Sequence, residues 1–291
     1  MRCLIVALIT FCSSAIAEES AVENAIKKTA DAVTSHVVSA EYIQIVGDAF
    51  EVFNYDTFED EGFKLPYRLA SPDGASEDDK RPLLLFLHGF GERGSENQRQ
   101  LIHGGALFAS EAFRNRHRAY VVAPQCPDEN IEGTDEPVVW STRLRPTSEP
   151  APLALDQDPV PPMRAAKRLV DHLIATLPID PDRVYVSGLS MGGYGTWELA
   201  ARHPDFFAAA APICGGGNPA WGERLTGMPL WAFHGDADTA VPVERSREMI
   251  AAIQAAGGTP VYTEYPGEGH GSWNPTFASQ QVWDWLFAQR R

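Results

Sequence analysis

From residue 83 onward the chain carries short, largely apolar, strand-like runs: "LLLFLHG" (83–89), "AYVVAP" (119–124), "RVYVSG" (183–188), "FAAAAPI" (207–213), "PLWAFHG" (229–235) and "PVYTEYP" (260–266). Runs of this length predict strands, and a strand apolar on both sides predicts a sheet covered on both faces. Helix-like stretches lie near 161–176, 191–203, 242–256 and 276–289. Pro242 suits the first residue of its helix and Gly257-Gly258 its stop. Strands alternating with helices predict a parallel sheet in an α/β domain. Upstream, "DAFEVFNYDTF" and "GFKLPYRLASP" flank the acidic turn Glu59-Asp60-Glu61-Gly62 and predict an antiparallel hairpin. In such sheets ligands gather at the carboxyl ends of the strands. His88, Ser190, Asp236, Asp238 and His270 each follow a predicted strand at that edge.

One segment interrupts the alternation. Residues 126–162 hold eight prolines and little periodicity, which predicts a long, stiffened loop at the carboxyl edge rather than a linker or an amphipathic lid helix. The start, "MRCLIVALITFCSSAIA", has one basic residue, an apolar run and an Ala15-Ile16-Ala17 ending, the grammar of a secretory signal cleaved after Ala17. The expected organisation is therefore a signal at 1–17, an arm or helix at 18–44 and one catalytic domain at 45–291, in a secreted or periplasmic protein.

Loss of Arg2 with the signal takes Lys+Arg from 24 to 23 against 39 Asp+Glu, a net charge of −16 (23 − 39). That charge repels nucleic acid and anionic membrane surfaces, so neither is an expected partner. Nothing in the sequence speaks to oligomeric state. Cys126 and Cys214 remain after cleavage. An oxidising compartment permits a bridge, but the inferred sheet order separates the strands they end, so free buried thiols are the alternative.

Gly188-Leu189-Ser190-Met191-Gly192 fits G-x-S-x-G, and it sits between a predicted strand and a predicted helix, the context that the motif needs. The glycines clear side chains from a tight turn that presents Ser190. A serine hydroxyl becomes a nucleophile only when an oriented base takes its proton. Three histidines follow Ser190. His203 ends the serine-bearing helix and suits a C-terminal dipole contact, and His234 lies inside a strand as a packed, hydrogen-bonded residue. His270, in the glycine-flanked loop "PGEGHGSW", suits the base. The acid is Asp236 or Asp238 in "HGDADTAVP": Asp236 suits turn capping, whereas Asp238 is placed to reach His270. Backbone N–H groups of Met191 and of Phe90, in "LHGFGERG", suit an oxyanion hole. A calcium loop at 236–247 fails at Ala240, Val241 and Arg247. No zinc or phosphate-loop motif occurs, and no metal or cofactor is expected.

"LLLFLHGFGERGSEN", "VVAPQCP", "DRVYVSGLSMGGYGTWELAARHPDFFAAAAPICGGG", "FHGDADTAVPVERSREM" and "EYPGEGHGSW" resemble the α/β-hydrolase esterases of the polyhydroxybutyrate-depolymerase and feruloyl-esterase-like group. The resemblance covers roughly 45–291. It implies an α/β-hydrolase fold: a mostly parallel, twisted sheet of about eight strands with helices on both faces and no lid domain. It also implies Ser190 as nucleophile, His270 as base, Asp238 as acid and oxyanion amides at Phe90 and Met191. The expected activity is that of a serine esterase, acting through an acyl-enzyme on acetyl or feruloyl esters, small or linked to polysaccharide. A serine peptidase of the prolyl-oligopeptidase type and a non-catalytic binding protein of the same fold are the alternatives. Trp140, Trp221 and Trp273 fall in loops at the carboxyl edge, where they either line the substrate mouth or pack into the core.

Overall fold

The structure, a computed structural model, describes residues 49–130, 135, 137–141, 155 and 158–291. The expected signal at 1–17, the arm at 18–44 and much of the 126–162 loop lie outside the described residues.

Eight strands form one sheet: β1 (Phe53–Asp60), β2 (Phe63–Ala70), β3 (Arg81–Leu87), β4 (Tyr120–Pro124), β5 (Ile179–Leu189), β6 (Ala209–Ile213), β7 (Trp231–Gly235) and β8 (Val261–Tyr265), in the order β1-β2-β4-β3-β5-β6-β7-β8. Only β2 runs against its neighbours. The β1–β2 hairpin turns through Glu61 (φ 50) and Gly62 (φ 85), two positive-φ residues whose twist matches that of the paired strands.

The central strands owe their unbroken apolar character to cover on both sides. Along β3, Leu83, Leu85 and Leu87 enter one core with Val184, Val186, Met191 and Trp197, while Leu84 and Phe86 enter the other with Val121, Tyr185 and Phe233. This two-residue alternation is the pleat itself. Each fully buried leucine of β3 contributes roughly 2 kcal/mol of transfer free energy. The edge strand β1, mostly exposed along its middle, carries the polar residues that the central strands lack.

Helices supply the cover. On one face pack α3 (Pro161–Thr176), α4 (Met191–Arg202) and α5 (Glu244–Ala255); on the other lie α1 (Gly105–Ala109), α2 (Glu111–His117), α6 (Trp273–Ala278) and α7 (Gln280–Ala288). The sequence predicts one helix over 276–289; the chain instead breaks at Ser279, which is extended (φ −86, ψ 104). The break lets Trp283 turn its indole N–H back to the Phe277 carbonyl at 3.3 Å. Among the described residues no helix is long and apolar enough to cross a membrane. Cys126, after β4, and Cys214, after β6, are both free and buried, with β3 and β5 between their strands.

Candidate active site

Ser190 sits between β5 and α4 at φ 52, ψ −114, a conformation that a side chain tolerates only when its surroundings impose it. Two backbone hydrogen bonds do so: Ser190 N–H to Ile213 O at 2.9 Å, and Tyr194 N–H to Ser190 O at 3.0 Å. The glycines of the motif leave room for the elbow. A Cβ added to Gly192 would lie 1.9 Å from Leu87 O, so α4 rests directly on the β3 backbone only because that side chain is missing.

Two loops, one after β7 and one after β8, bring the remaining groups to Ser190. They are stitched together by Ala237 N–H to Glu268 O at 3.0 Å, Asp236 N–H to Tyr265 O at 3.2 Å and Gly267 N–H to Asp236 Oδ1 at 2.6 Å. A Cβ on Gly235 would stand 2.2 Å from Glu268 O, so this contact too depends on glycine. Asp236 thus caps the turn, and Asp238 points inward. Asp238 Oδ2 lies 2.7 Å from His270 Nδ1, and His270 Nε2 lies 2.9 Å from Ser190 Oγ. Asp238 Oδ1 accepts from the amides of Ala240 (2.8 Å) and Val241 (2.9 Å). A chain from carboxylate to imidazole to hydroxyl is an arrangement that can take a proton from Ser190 and return it.

Two backbone segments approach the serine. Met191 opens α4, and a first-turn amide has no acceptor within its own helix. The loop after β3 approaches from across the sheet: a Cβ on Gly89 would lie 3.7 Å from Ser190 Cβ. Phe90 follows, opening a 3₁₀ turn, Phe90–Glu92. Arg93 clamps that turn. Its Nε donates to Phe90 O at 3.2 Å, its Nη1 donates to Val138 O at 3.1 Å, and its guanidinium lies 3.7 Å from the centre of the exposed Phe90 ring. His88 anchors the other end of the loop. Its Nε2 accepts the Cys126 N–H at 2.9 Å, so Nδ1 carries the hydrogen and donates to Gly89 O at 2.6 Å. Burial pushes this imidazole down to about 3, and it stays neutral.

Glu92 is the unexpected neighbour. Its carboxyl is buried under the same loop, accepts the Gly89 and Glu92 amides, and faces His103 Nε2 at 3.6 Å. Burial raises the carboxyl to about 7 and lowers the His103 imidazole to about 4, so both are shifted toward their neutral forms. Glu92 and Arg93 left one signal in the sequence, an acid and a base adjacent in a glycine-rich loop directly after a strand.

The three tryptophans part company. Trp273 stands beside the site, its ring 5.4 Å from that of His270 and nearly perpendicular to it. Trp140 and Trp221 are buried in the core, at 0% and 3% exposure, and line no open mouth. Trp140 donates its indole N–H to His88 O at 3.2 Å, and Trp221 lies in a 3₁₀ segment, Pro219–Leu225, that joins the core on the α5 face. Loop position located these rings but could not tell inward from outward. His203 caps the end of α4, away from Ser190, and burial lowers it to about 4. His234 is buried in β7 and hydrogen-bonded, but one partner is Asp238 itself, 3.2 Å from its Nε2.

Comparison with known proteins places the chain in a family. The family model described as "Putative esterase" matches residues 64–259. A curated relative named "Putative esterase NocK", from Nocardia uniformis subsp. tsuyamanensis, is 35% identical over 197 residues, covering 67% of this chain and 51% of its own length. Poly(3-hydroxyalkanoate) depolymerase C of Paucimonas lemoignei is 36% identical over 137 residues, covering 46% of this chain and 28% of its own. The chain thus spans about half or less of these two relatives. A solved structure of a thermostable esterase superposes with a TM-score of 0.74 at 38% identity, covering 84% of this chain and 64% of that one. With its eight-stranded, mostly parallel sheet and the family model spanning most of its length, the chain has the α/β-hydrolase fold and belongs to the esterase family.

Proposed function

We propose that this protein is a serine carboxylic-ester hydrolase that works through an acyl-enzyme. The observation that carries the proposal is the continuous hydrogen-bonded path from Asp238 Oδ2 through His270 to Ser190 Oγ, at 2.7 and 2.9 Å. Ser190 Oγ attacks the ester carbonyl carbon as its proton passes to His270 Nε2. The amides of Met191 and Phe90 receive the negative charge that develops on the carbonyl oxygen. Collapse breaks the bond to the alcohol, which leaves with the proton from His270. Water then attacks the acyl-serine, His270 again takes the proton, and the acid product departs as Ser190 is reprotonated. Asp238 holds the ring with Nδ1 protonated and Nε2 free to act.

The proposed substrates are acetyl or feruloyl esters, free or attached to polysaccharide. The support is aromatic surface on the elements around the serine: the exposed Phe90 ring on the loop after β3, and Trp273 against His270. The proposed location is secreted or periplasmic, after cleavage behind Ala17.

Hydrolysis of aryl acetates, acetylated xylan, feruloyl sugars and short peptides tests this, with Ser190→Ala and Asp238→Asn beside the wild type. Ester cleavage lost in Ser190→Ala and lowered ~10⁴-fold in kcat by Asp238→Asn is expected. Peptide cleavage without ester cleavage would assign the site to a peptidase instead.

A further inference from the structure

His234 is a buried titratable group for which the proposed reaction has no use. It lies in β7 at 0% exposure, four residues before Asp238. Its Nε2 is 3.0 Å from Val241 O and 3.2 Å from Asp238 Oδ2, and both oxygens only accept. Nε2 therefore carries a hydrogen. On the opposite side Nδ1 is 2.7 Å from Ser246 Oγ of α5. That hydroxyl is also within donating distance of Gly215 O, 3.0 Å away, so its single hydrogen is divided between the carbonyl and Nδ1. Burial holds the imidazole below its ordinary 6.5, which favours this neutral form protonated at Nε2.

Asp238 Oδ2 thus receives two imidazole donors, one from each histidine, while Oδ1 receives two amides. We propose that His234 is a positioning residue for the catalytic acid: held by Ser246, its Nε2–H fixes the Asp238 carboxylate and shares the charge on the oxygen that faces His270. This rests on the assignment of Ser190, His270 and Asp238 made above. The consequence follows from electrostatics. A proton on His270 Nε2 is stabilised by the negative charge on Oδ2, and a second donor on that oxygen weakens the hold. The imidazolium then surrenders its proton to the leaving alcohol more readily.

Other charged groups around His234 are already engaged. Glu264, its partner across the β7–β8 pairing, is bound by Arg247 of α5 at 2.6 and 2.9 Å. Tyr194 of α4 is buried within the field of Asp238, Arg245 and Glu248. Arg245 itself faces Glu248 at 3.5 Å.

The test compares the wild type with His234→Leu, which removes the donor, and His234→Gln, whose amide nitrogen replaces Nε2–H. Asp238→Asn is the control. Hydrolysis of an aryl acetate is followed against pH and expressed per site titrated with a fluorophosphonate. His234→Leu is expected to lower kcat about ten-fold or more with KM within about two-fold. It should also move the acid limb of kcat/KM to higher pH, and His234→Gln should restore both. A residue that only supports the fold would change the titratable fraction and leave the limb in place, which would overturn the proposal, as would failure of a folded Gln variant to restore kcat. Nitrogen NMR of the wild type decides independently of whether His234→Leu folds: protonated Nε2 on His234 is required, and an unprotonated one overturns the proposal. Full activity in Asp238→Asn would instead bring down the assignment of the acid, and this inference with it.

Discussion

Ser190 holds a positive φ that costs a non-glycine residue about 1–3 kcal/mol, and the hydrogen bonds to Ile213 and Tyr194 hold it there. Glycine adopts this conformation freely, whereas alanine inherits the strain. Ser190→Gly is therefore expected to unfold at a higher temperature than Ser190→Ala, by a difference of about 1 kcal/mol, though both lose the hydroxyl. Thermal unfolding of the pair checks this, and a less stable glycine variant would mean that the elbow stores no strain. The histidines and acids were legible in the sequence to different depths. His270 could be picked out because only one histidine after Ser190 lay in a free loop at the right edge of the sheet. Asp238 and Asp236 both follow the same strand, and what separates them is a contact to the next loop: Asp236 turns to Gly267 and Asp238 to His270. His234 was legible as packed and hydrogen-bonded, but not as a partner of Asp238. That contact arises because the chain folds back at the end of β7, and local pattern carries no record of it.

At the scale of elements, the elbow works because α4 lies against the β3 backbone and the loops after β7 and β8 lie against each other. Both contacts are made through glycine. Gly192→Ala puts a Cβ 1.9 Å from Leu87 O, a backbone atom that cannot step aside, whereas Gly227→Ala meets nothing within 4 Å. The first is expected to cost at least about 3 kcal/mol and to abolish ester hydrolysis even where protein folds, and the second to be near neutral. Denaturant melts of the two variants measure the difference. Strand positions were readable from the apolar runs because burial on both faces leaves no polar alternation to confuse. The single helix expected at 276–289 was misread because periodicity survives a break: α6 and α7 both present apolar residues to the same core, and only the backbone at Ser279 separates them. The tryptophans follow the same logic in reverse, since a loop at the carboxyl edge can carry a ring inward, as with Trp140, or toward the site, as with Trp273.

The molecule as a whole keeps several imidazoles out of water. Burial lowers His88 to about 3 and His103, His117 and His203 to about 4, against an ordinary 6.5. Below 6.5 the unfolded chain takes up protons that the folded chain refuses, so stability present at neutral pH is lost as pH falls from about 6.5 toward 4. Glu92 acts the other way: held up to about 7, it stabilises the fold below its ordinary 4.5 and gives that up as pH rises through 7. Four imidazoles outweigh one carboxyl, and the unfolding temperature is expected to drop between pH 6.5 and 4, with proton uptake visible by calorimetry in buffers of different ionisation enthalpy. A flat profile would mean that these rings are solvated. The buried thiols belong to the same interior, and burial pushes both Cys126 and Cys214 up, away from reactivity.

The central claim is that Ser190 is the nucleophile, and covalent trapping tests it most directly. The protein is treated with a fluorophosphonate and its peptides are mapped by mass spectrometry. One adduct per chain is expected, on the peptide carrying Gly188-Leu189-Ser190-Met191-Gly192 and on Ser190 itself, and none in Ser190→Ala. An adduct on another serine, or none on the folded wild-type protein, would contradict it.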